Sequence, residues 1–239
     1  MPLIKVLASG SSGNCYIIQA EEEKLVLECG IDYKSILKGL NYSIKGVVGC
    51  LISHKHLDHC KSHKKIFENL PKVIAPLEVL EKFNYINSTK SVVAENKKLI
   101  HIGNFSVMPF NCQHTNSDGT ECENLGYLIQ HDMIGRIVFV TDTYYLKYRF
   151  SDIQHILIEC NYSEDNIQAL EPHEQRIFKS HMSLEILKET LKTWSLSSTR
   201  TITLIHLSKN NGEPERFKRK IEALTGIPTY VATEGLEVD

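Results

Sequence analysis

Three histidines and one aspartate fall within six positions, His54-Lys55-His56-Leu57-Asp58-His59, directly after the apolar run Val47-Val48-Gly49-Cys50-Leu51-Ile52 and Ser53. Imidazole and carboxylate are lone-pair donors, and such crowding calls for positive charge between them. A pair of metal ions is the simplest source. Alternation along an extended chain puts His54 and His56 on a common side, while Asp58 and His59 follow in a tight turn and can face a second ion. Other ligand types also follow strand-like runs: His114 beyond a loop from Phe110, Asp142 after Val140-Thr141, and His206 after Leu204-Ile205. Ligands at strand ends can converge on one sheet edge from rigid supports. Two ions roughly 3.5–4 Å apart, with Asp142 between them, would clamp a phosphoryl or carbonyl oxygen and supply a nucleophile at neutral pH. Imidazole and carboxylate suit zinc or manganese. A lone histidine is ordinarily a packing or surface residue, but this cluster reverses that expectation.

The elements that must position these groups read as follows. Strands are expected at 4–8, 15–19 and 24–28, the first two joined by Ser9-Gly10-Ser11-Ser12-Gly13-Asn14, a turn-forming stretch read as a hairpin. A short helix should span 33–40, then the apolar strand enters the histidine loop, and helices follow at 61–70 and 76–83 around a strand at 73–75. The stretch 85–96 is ambiguous. Further strands are expected at 99–102, 105–110, 125–130, 136–141 and 155–158, with a polar loop at 113–119. Helices should run from Ser163 toward Lys179, from Ser183 to Trp194, and from Pro214 to Leu224 with a stop near Gly226. A strand at 201–205 and a last one around Tyr230-Val231 complete the pattern. Strands first, then strands mixed with helices, suggest an α/β architecture of two sheets sandwiched between helical layers, forming one domain over 1–239.

Composition narrows the class. Of 239 residues 42% are hydrophobic and 23% charged, close to soluble globular averages, which argues against disorder and coiled coil. No apolar run approaches the roughly 18 residues of a membrane span, and the N-terminal residues lack the shape of a signal peptide, so a cytoplasmic protein without membrane contact is expected. Seven cysteines are scattered and never spaced Cys-x-x-Cys, which disfavours a disulfide framework and a zinc ribbon and leaves buried small hydrophobes. The formal net charge of -2 gives no broad footprint for duplex nucleic acid.

The segment Ser53-His54-Lys55-His56-Leu57-Asp58-His59 fits the His-x-His-x-Asp-His signature of metallo-β-lactamase-fold hydrolases. The chain further resembles the YycJ/WalJ branch and its phage-encoded relatives through Leu7-Ala8-Ser9-Gly10-Ser11-Ser12-Gly13-Asn14-Cys15, Phe139-Val140-Thr141-Asp142-Thr143, Glu159-Cys160-Asn161-Tyr162, Ser180-His181-Met182-Ser183 and His206-Leu207-Ser208-Lys209-Asn210-Asn211. The resemblance implies an αββα sandwich with the metal site at the sheet edges. By position it assigns His54, His56 and His114 to one ion, Asp58, His59 and His206 to the other, and Asp142 between them. Asp118 and Glu121 are fallback ligands beside His114, whose loop is longer than a plain histidine–aspartate turn. Glu159 and His181 resemble the acid and histidine that assist proton transfer to the leaving oxygen in ribonuclease Z-like members, and Asp58 can hold the nucleophile's proton as well as a metal. Without the comparison, His181 is equally a helix-start histidine bonding a backbone group.

Remaining candidates concern substrate. Ser208, Asn210 and Asn211 can bond phosphate oxygens or merely shape the turn after His206. Tyr144, Tyr145 and Tyr148 with Lys147 and Arg149 can stack a base and meet a phosphate, or simply pack. His63, His101, His131, His155 and His173 match no strand-end pattern and are read as structural or exposed. The fold hosts several hydrolyses, so architecture alone decides little. The Glu159, His181 and His206-Leu207-Ser208 pattern resembles the phosphodiesterase branches of the family, which implies phosphodiester cleavage. A nearly neutral, compact chain suggests a small nucleotide substrate, a cyclic mononucleotide as in the phage anti-Pycsar phosphodiesterases. The alternatives are a YycJ-like single-strand or 5′-end DNA exonuclease, a glyoxalase-like thioester or lactam hydrolase, and a non-catalytic nucleotide-binding protein. The resemblance also allows a homodimer, which no motif indicates.

Overall fold

A computed structural model describes residues 3–167 and 180–239. Among them the first half of the chain forms β1 (Ile4–Ala8), β2 (Cys15–Ala20), β3 (Glu23–Leu27), α1 (Tyr33–Gly39), β4 (Val47–Leu51), α2 (Leu57–Cys60), α3 (His63–Asn69), β5 (Val73–Ala75), α4 (Leu77–Lys82) and β6 (Ser91–Val93). The second half forms β7 (Ile100–Ile102), β8 (Phe105–Thr115), β9 (Glu121–His131), β10 (Gly135–Val140), β11 (His155–Glu159), α5 (Leu184–Lys192), β12 (Thr201–Ile205), α6 (Pro214–Thr225), β13 (Thr229–Val231) and β14 (Glu237–Val238). A 3-10 turn spans Glu164–Ile167, and the rest of the stretch toward Lys179 expected to be helical, with His173, lies outside the described residues.

The strands make two mixed seven-stranded sheets, ordered β14-β1-β2-β3-β4-β5-β6 and β13-β12-β11-β10-β9-β8-β7. Period-2 alternation builds three apolar layers from them. On β2, Tyr16 and Ile18 enter the core between the sheets, while Cys15 and Ile17 face the helices. On β10, Ile137 and Phe139 enter that same central core, and Val138 and Val140 meet α5 and α6 through Leu187, Leu191, Phe217 and Ile221. Strands apolar on both faces are what a helix-covered sheet requires, which is why the buried runs read as continuous hydrophobic stretches. This is the expected αββα sandwich. All seven cysteines are buried free thiols. No helix among the described residues is long and apolar enough to cross a membrane.

Three local readings change. The polar stretch 113–119 is a loop only from Asn116 onward: β8 runs through Thr115 and pairs with β9, with His114 opposite Cys122, so His114 sits on a sheet and not in a loop. Its alternation is visible in the burial, with Cys112 and His114 inward and Gln113 outward. Asp58 and His59 lie in the one-turn helix α2 instead of a tight turn. Short edge strands appear at β6 and β14, too brief for a hydrophobic period to reveal. Gly226 ends α6 with φ 70°, the left-handed conformation expected of a helix-stopping glycine.

Candidate metal centre

The ends of β3, β4, β8, β10, β11 and β12 lead to Glu28, His54, His114, Asp142, Glu159 and His206, in keeping with ligand types delivered by rigid strands. Three of these strand-end residues hold left-handed backbone, Glu28 at φ 63°, Asp142 at 50° and His206 at 54°. For non-glycine residues this costs of order 1–3 kcal/mol each, and such strain concentrates at functional sites. Each is nearly or fully buried.

Two groups of ligand atoms, each within 4.8 Å of one another, share Asp142: His54, His56 and His114 on one side, Asp58, His59 and His206 on the other. In the first, His56 Nδ1 lies 3.0 Å from His54 Nε2 and 3.2 Å from His114 Nε2. Three imidazole nitrogens pointing at one another repel unless a cation or proton lies between them. His114 Nδ1 donates to the Ser180 carbonyl at 2.9 Å, which leaves its Nε2 lone pair facing the group, and Ser53 Oγ sits 2.9 Å from His54 Nδ1. Outer hydrogen bonds that fix the tautomer in this way are the usual support of metal-binding imidazoles.

In the second group, His59 Nε2 lies 3.3 Å from both Asp58 Oδ2 and Asp142 Oδ1, and His206 Nε2 lies 3.5 Å from the same two carboxylates. Burial opposes charge on both imidazoles, yet Asp142, Asp58 and a further carboxylate behind each raise them, His206 to about 10. The pocket therefore demands positive charge. Burial first, and then the neighbouring imidazoles of His59, His114 and His56, drive His54 down against the pull of Asp142, keeping it a neutral donor. Seven N and O donors, fixed tautomers and an anionic floor fit divalent cations, and no cysteine enters either group.

A third group joins Asp142 and His206 to Glu159 and His181. Glu159, fully buried, accepts His181 Nδ1 at 2.7 Å and His206 Nδ1 at 3.1 Å on Oε1, and the Thr143 and Met182 amides at 2.9 and 3.2 Å on Oε2. Burial would raise its pKa, but the adjacent imidazoles and these bonds hold it below the ordinary carboxylate value. His181 is partly exposed and stacks on His206 with ring centroids 5.2 Å apart.

These residues floor a cavity of about 510 Å³, lined also by Asn116, Ser180, Ser208 and Asn211. Asn210 is exposed in the turn beyond it, while Ser208 Oγ accepts the Asn211 amide and so shapes that turn too. Tyr144 lines a neighbouring cavity with His114. Tyr148 packs on Phe110, the mundane reading of that ring. Asp118 accepts from Thr120 within its turn, and with His114 in place neither it nor Glu121 joins the cluster. His63 stacks on Phe83 and His155 bonds Thr201 inside the protein.

Several supporting residues escape sequence reasoning. Glu28 Oε1 accepts the Ser53 amide, and its Oε2 faces His59 Nδ1 at 3.6 Å, two buried atoms with no other hydrogen-bond partner among the described residues. Its signal was the one used for the ligands, a carboxylate closing an apolar strand. Asn14 Nδ2 reaches within 3.2 Å of His59 Nε2, so the serine- and glycine-rich turn serves the site. Asn116 Oδ1 lies 3.2 Å from His56 Nε2.

This fold and ligand set define a metallo-β-lactamase-type hydrolase. Residues 25–207 match the beta-lactamase superfamily domain, and the chain belongs to that family. Within it the chain is similar to WalJ and YycJ proteins. It is 26% identical over 230 residues to Exodeoxyribonuclease WalJ of Streptococcus pneumoniae serotype 2, covering 88% of this chain and 83% of that protein. It is 23% identical over 253 residues to Exodeoxyribonuclease YycJ of Bacillus anthracis, covering 98% and 92%. The metallo-beta-lactamase fold protein YhfI from Bacillus subtilis superposes with a TM-score of 0.74 at 15% identity, covering 99% and 98%. The protein is a metal-dependent hydrolase.

Proposed function

We propose that the chain, working as one domain over 1–239, is a two-metal phosphodiesterase that acts on the ends of DNA strands. The observation that carries phosphodiester chemistry is the His181–Glu159 pair at 2.7 Å, placed beside the ligand cluster at the cavity. An ester oxygen of a nucleotide is a poor leaving group and needs a proton, and a histidine held by a buried carboxylate is suited to give it. Zinc is the first choice for these donors and manganese the second. When bound, the two ions would supply Lewis acidity toward a phosphoryl oxygen and an acidified water for attack.

The chain's own residues do the rest. Glu159 accepts a hydrogen bond from His181 Nδ1–H, which leaves Nε2 as the atom that protonates the departing oxygen. Asp58, with its side chain 25% exposed, can accept the attacking water's proton. Ser208 and Asn211 line the cavity where phosphate oxygens would lie. The names of the WalJ and YycJ relatives, which match most of the chain, support DNA as substrate. Seven free thiols suit the reducing cytoplasm, where we place the protein.

A second reading is supported by the cavity itself. Its lining among the described residues includes no lysine or arginine, and about 510 Å³ suits a compact ligand, which favours a cyclic mononucleotide of the kind cleaved by phage anti-Pycsar enzymes. A thioester hydrolase would leave the His181–Glu159 pair without a task. The deciding experiment incubates zinc- or manganese-loaded protein with end-labelled single-stranded DNA, RNA, cyclic mononucleotides and a thioester. Stepwise release of mononucleotides from DNA is expected; cleavage of cyclic mononucleotides alone would select the second reading.

A further inference from the structure

Residues 144–150 join β10 to β11 without regular secondary structure, yet their side chains alternate. Leu146, Tyr148 and Phe150 turn into the core beneath α5, where the Phe150 ring meets Trp194 edge-on at 4.8 Å. Tyr145, Lys147 and Arg149 face outward, Tyr145 with 51% of its surface exposed. The segment begins two residues after Asp142 and is braced against the site. The Thr143 amide donates to Glu159 at 2.9 Å, Thr143 Oγ1 lies 2.9 Å from the Tyr145 carbonyl, and the Tyr144 amide donates to the Gln113 carbonyl at 3.2 Å.

The surrounding surface is continuous with the metal-site cavity. That cavity shares His114 and Thr115 with a neighbour of about 640 Å³, and Lys147 lines both this neighbour and a third cavity of about 570 Å³ that Tyr145 and Arg149 also line. The three acidic residues on the facing wall have partners: Glu164 accepts from Ser183 Oγ, Glu185 from Ser163 Oγ and the Glu164 amide, and Glu189 pairs with Lys192. Lys147 and Arg149 form no ion pair with a carboxylate among the described residues.

We propose that Tyr145, Lys147 and Arg149 form a row that binds the single-stranded part of a nucleic-acid substrate outside the metal-site cavity. This rests on the DNA reading above and explains how a cavity lined without lysine or arginine can serve a long strand. Alternate side chains on an extended backbone stand about 7 Å apart. Such a row offers one aromatic face to a base and two successive cations to phosphates, the combination used for sequence-tolerant single-strand binding.

The test uses full-length, metal-loaded protein and two surface variants, Tyr145→Ala and Lys147→Ala/Arg149→Ala. Each is assayed on single-stranded DNA of 2, 6 and 12 nucleotides and on bis(p-nitrophenyl) phosphate. The wild type should show a KM that falls with DNA length. Each variant should raise KM for the 12-mer roughly tenfold, with the dinucleotide and the small ester unaffected. The double variant should also lower the slope of log KM against log salt by roughly 1.4. An unchanged KM and salt slope for the 12-mer, on wild-type protein that cleaves it, overturns the row and leaves the DNA reading standing. Wild-type protein that hydrolyses the small ester or cyclic nucleotides but no DNA overturns both.

Discussion

His181 and His206 both direct Nδ1 at one oxygen of Glu159, at 2.7 and 3.1 Å, so a single buried carboxylate ties the partly exposed histidine at the cavity to a histidine of the candidate ligand cluster. His181→Ala should therefore lower kcat on DNA by roughly 10²–10⁴-fold while two metals per chain are retained. The loss should shrink for bis(p-nitrophenyl) phosphate, whose leaving group needs no proton. Metal content by elemental analysis and kcat on both substrates check this. Equal losses on the two esters would argue against proton donation.

Removing the metals should cost stability as well as activity. Asp58, Asp142, His59 and His206 crowd together at 3.3–3.5 Å, and bound cations compensate the two carboxylates better than protons do. Chelation should abolish hydrolysis, and restoring zinc or manganese at about 100 times its Kd should raise Tm by roughly 5–10 °C. Differential scanning calorimetry across a metal titration measures this directly.

Much of this site was legible because its ligands terminate apolar strands. The runs before His54, Asp142 and His206 announce rigid supports, and period-2 burial on β2 and β10 follows directly from the residues. His114 was recognisable as a ligand type but misplaced in a loop, since Gln113, Asn116, Ser117 and Asp118 resemble turn chemistry when the cross-strand partner Cys122 is unseen. Glu28 and Asn14 reach His59 from segments 31 and 45 residues away in the chain, through strand pairing and a turn packed against α2. No local pattern carries such contacts. Asn210 illustrates the reverse error: proximity to His206 in sequence did not bring it to the cavity.

Gly30 marks where the chain has no room. A Cβ there would lie 1.6 Å from the Asp58 carbonyl oxygen, and the Gly30 amide is already fixed to the Asn14 carbonyl at 2.9 Å. Gly30→Ala must push α2 outward, carrying Asp58 and His59 with it. The expected cost is roughly 1–3 kcal/mol of stability, with metal content falling from two ions toward one. Denaturant unfolding and elemental analysis test the two effects separately. A variant with full metal content and wild-type stability would show that α2 yields freely.

His155 gives the fold a pH dependence separate from the metal cluster. It is buried at the start of β11, with Nδ1 2.8 Å from Thr201 Oγ1, and burial together with Arg200 lowers its pKa from 6.5 to about 4. Between those values the unfolded chain binds the proton that the folded chain refuses, so stability must rise with pH through the window and fall as pH drops from 6.5 toward 4. The full loss is worth roughly 3 kcal/mol. His155→Gln, which keeps a hydrogen-bonding group for Thr201 but does not titrate, should flatten that part of the stability curve. Urea unfolding at half-unit steps from pH 7 to 4, in wild type and variant, reads the difference, and parallel curves would assign the acid sensitivity to other groups.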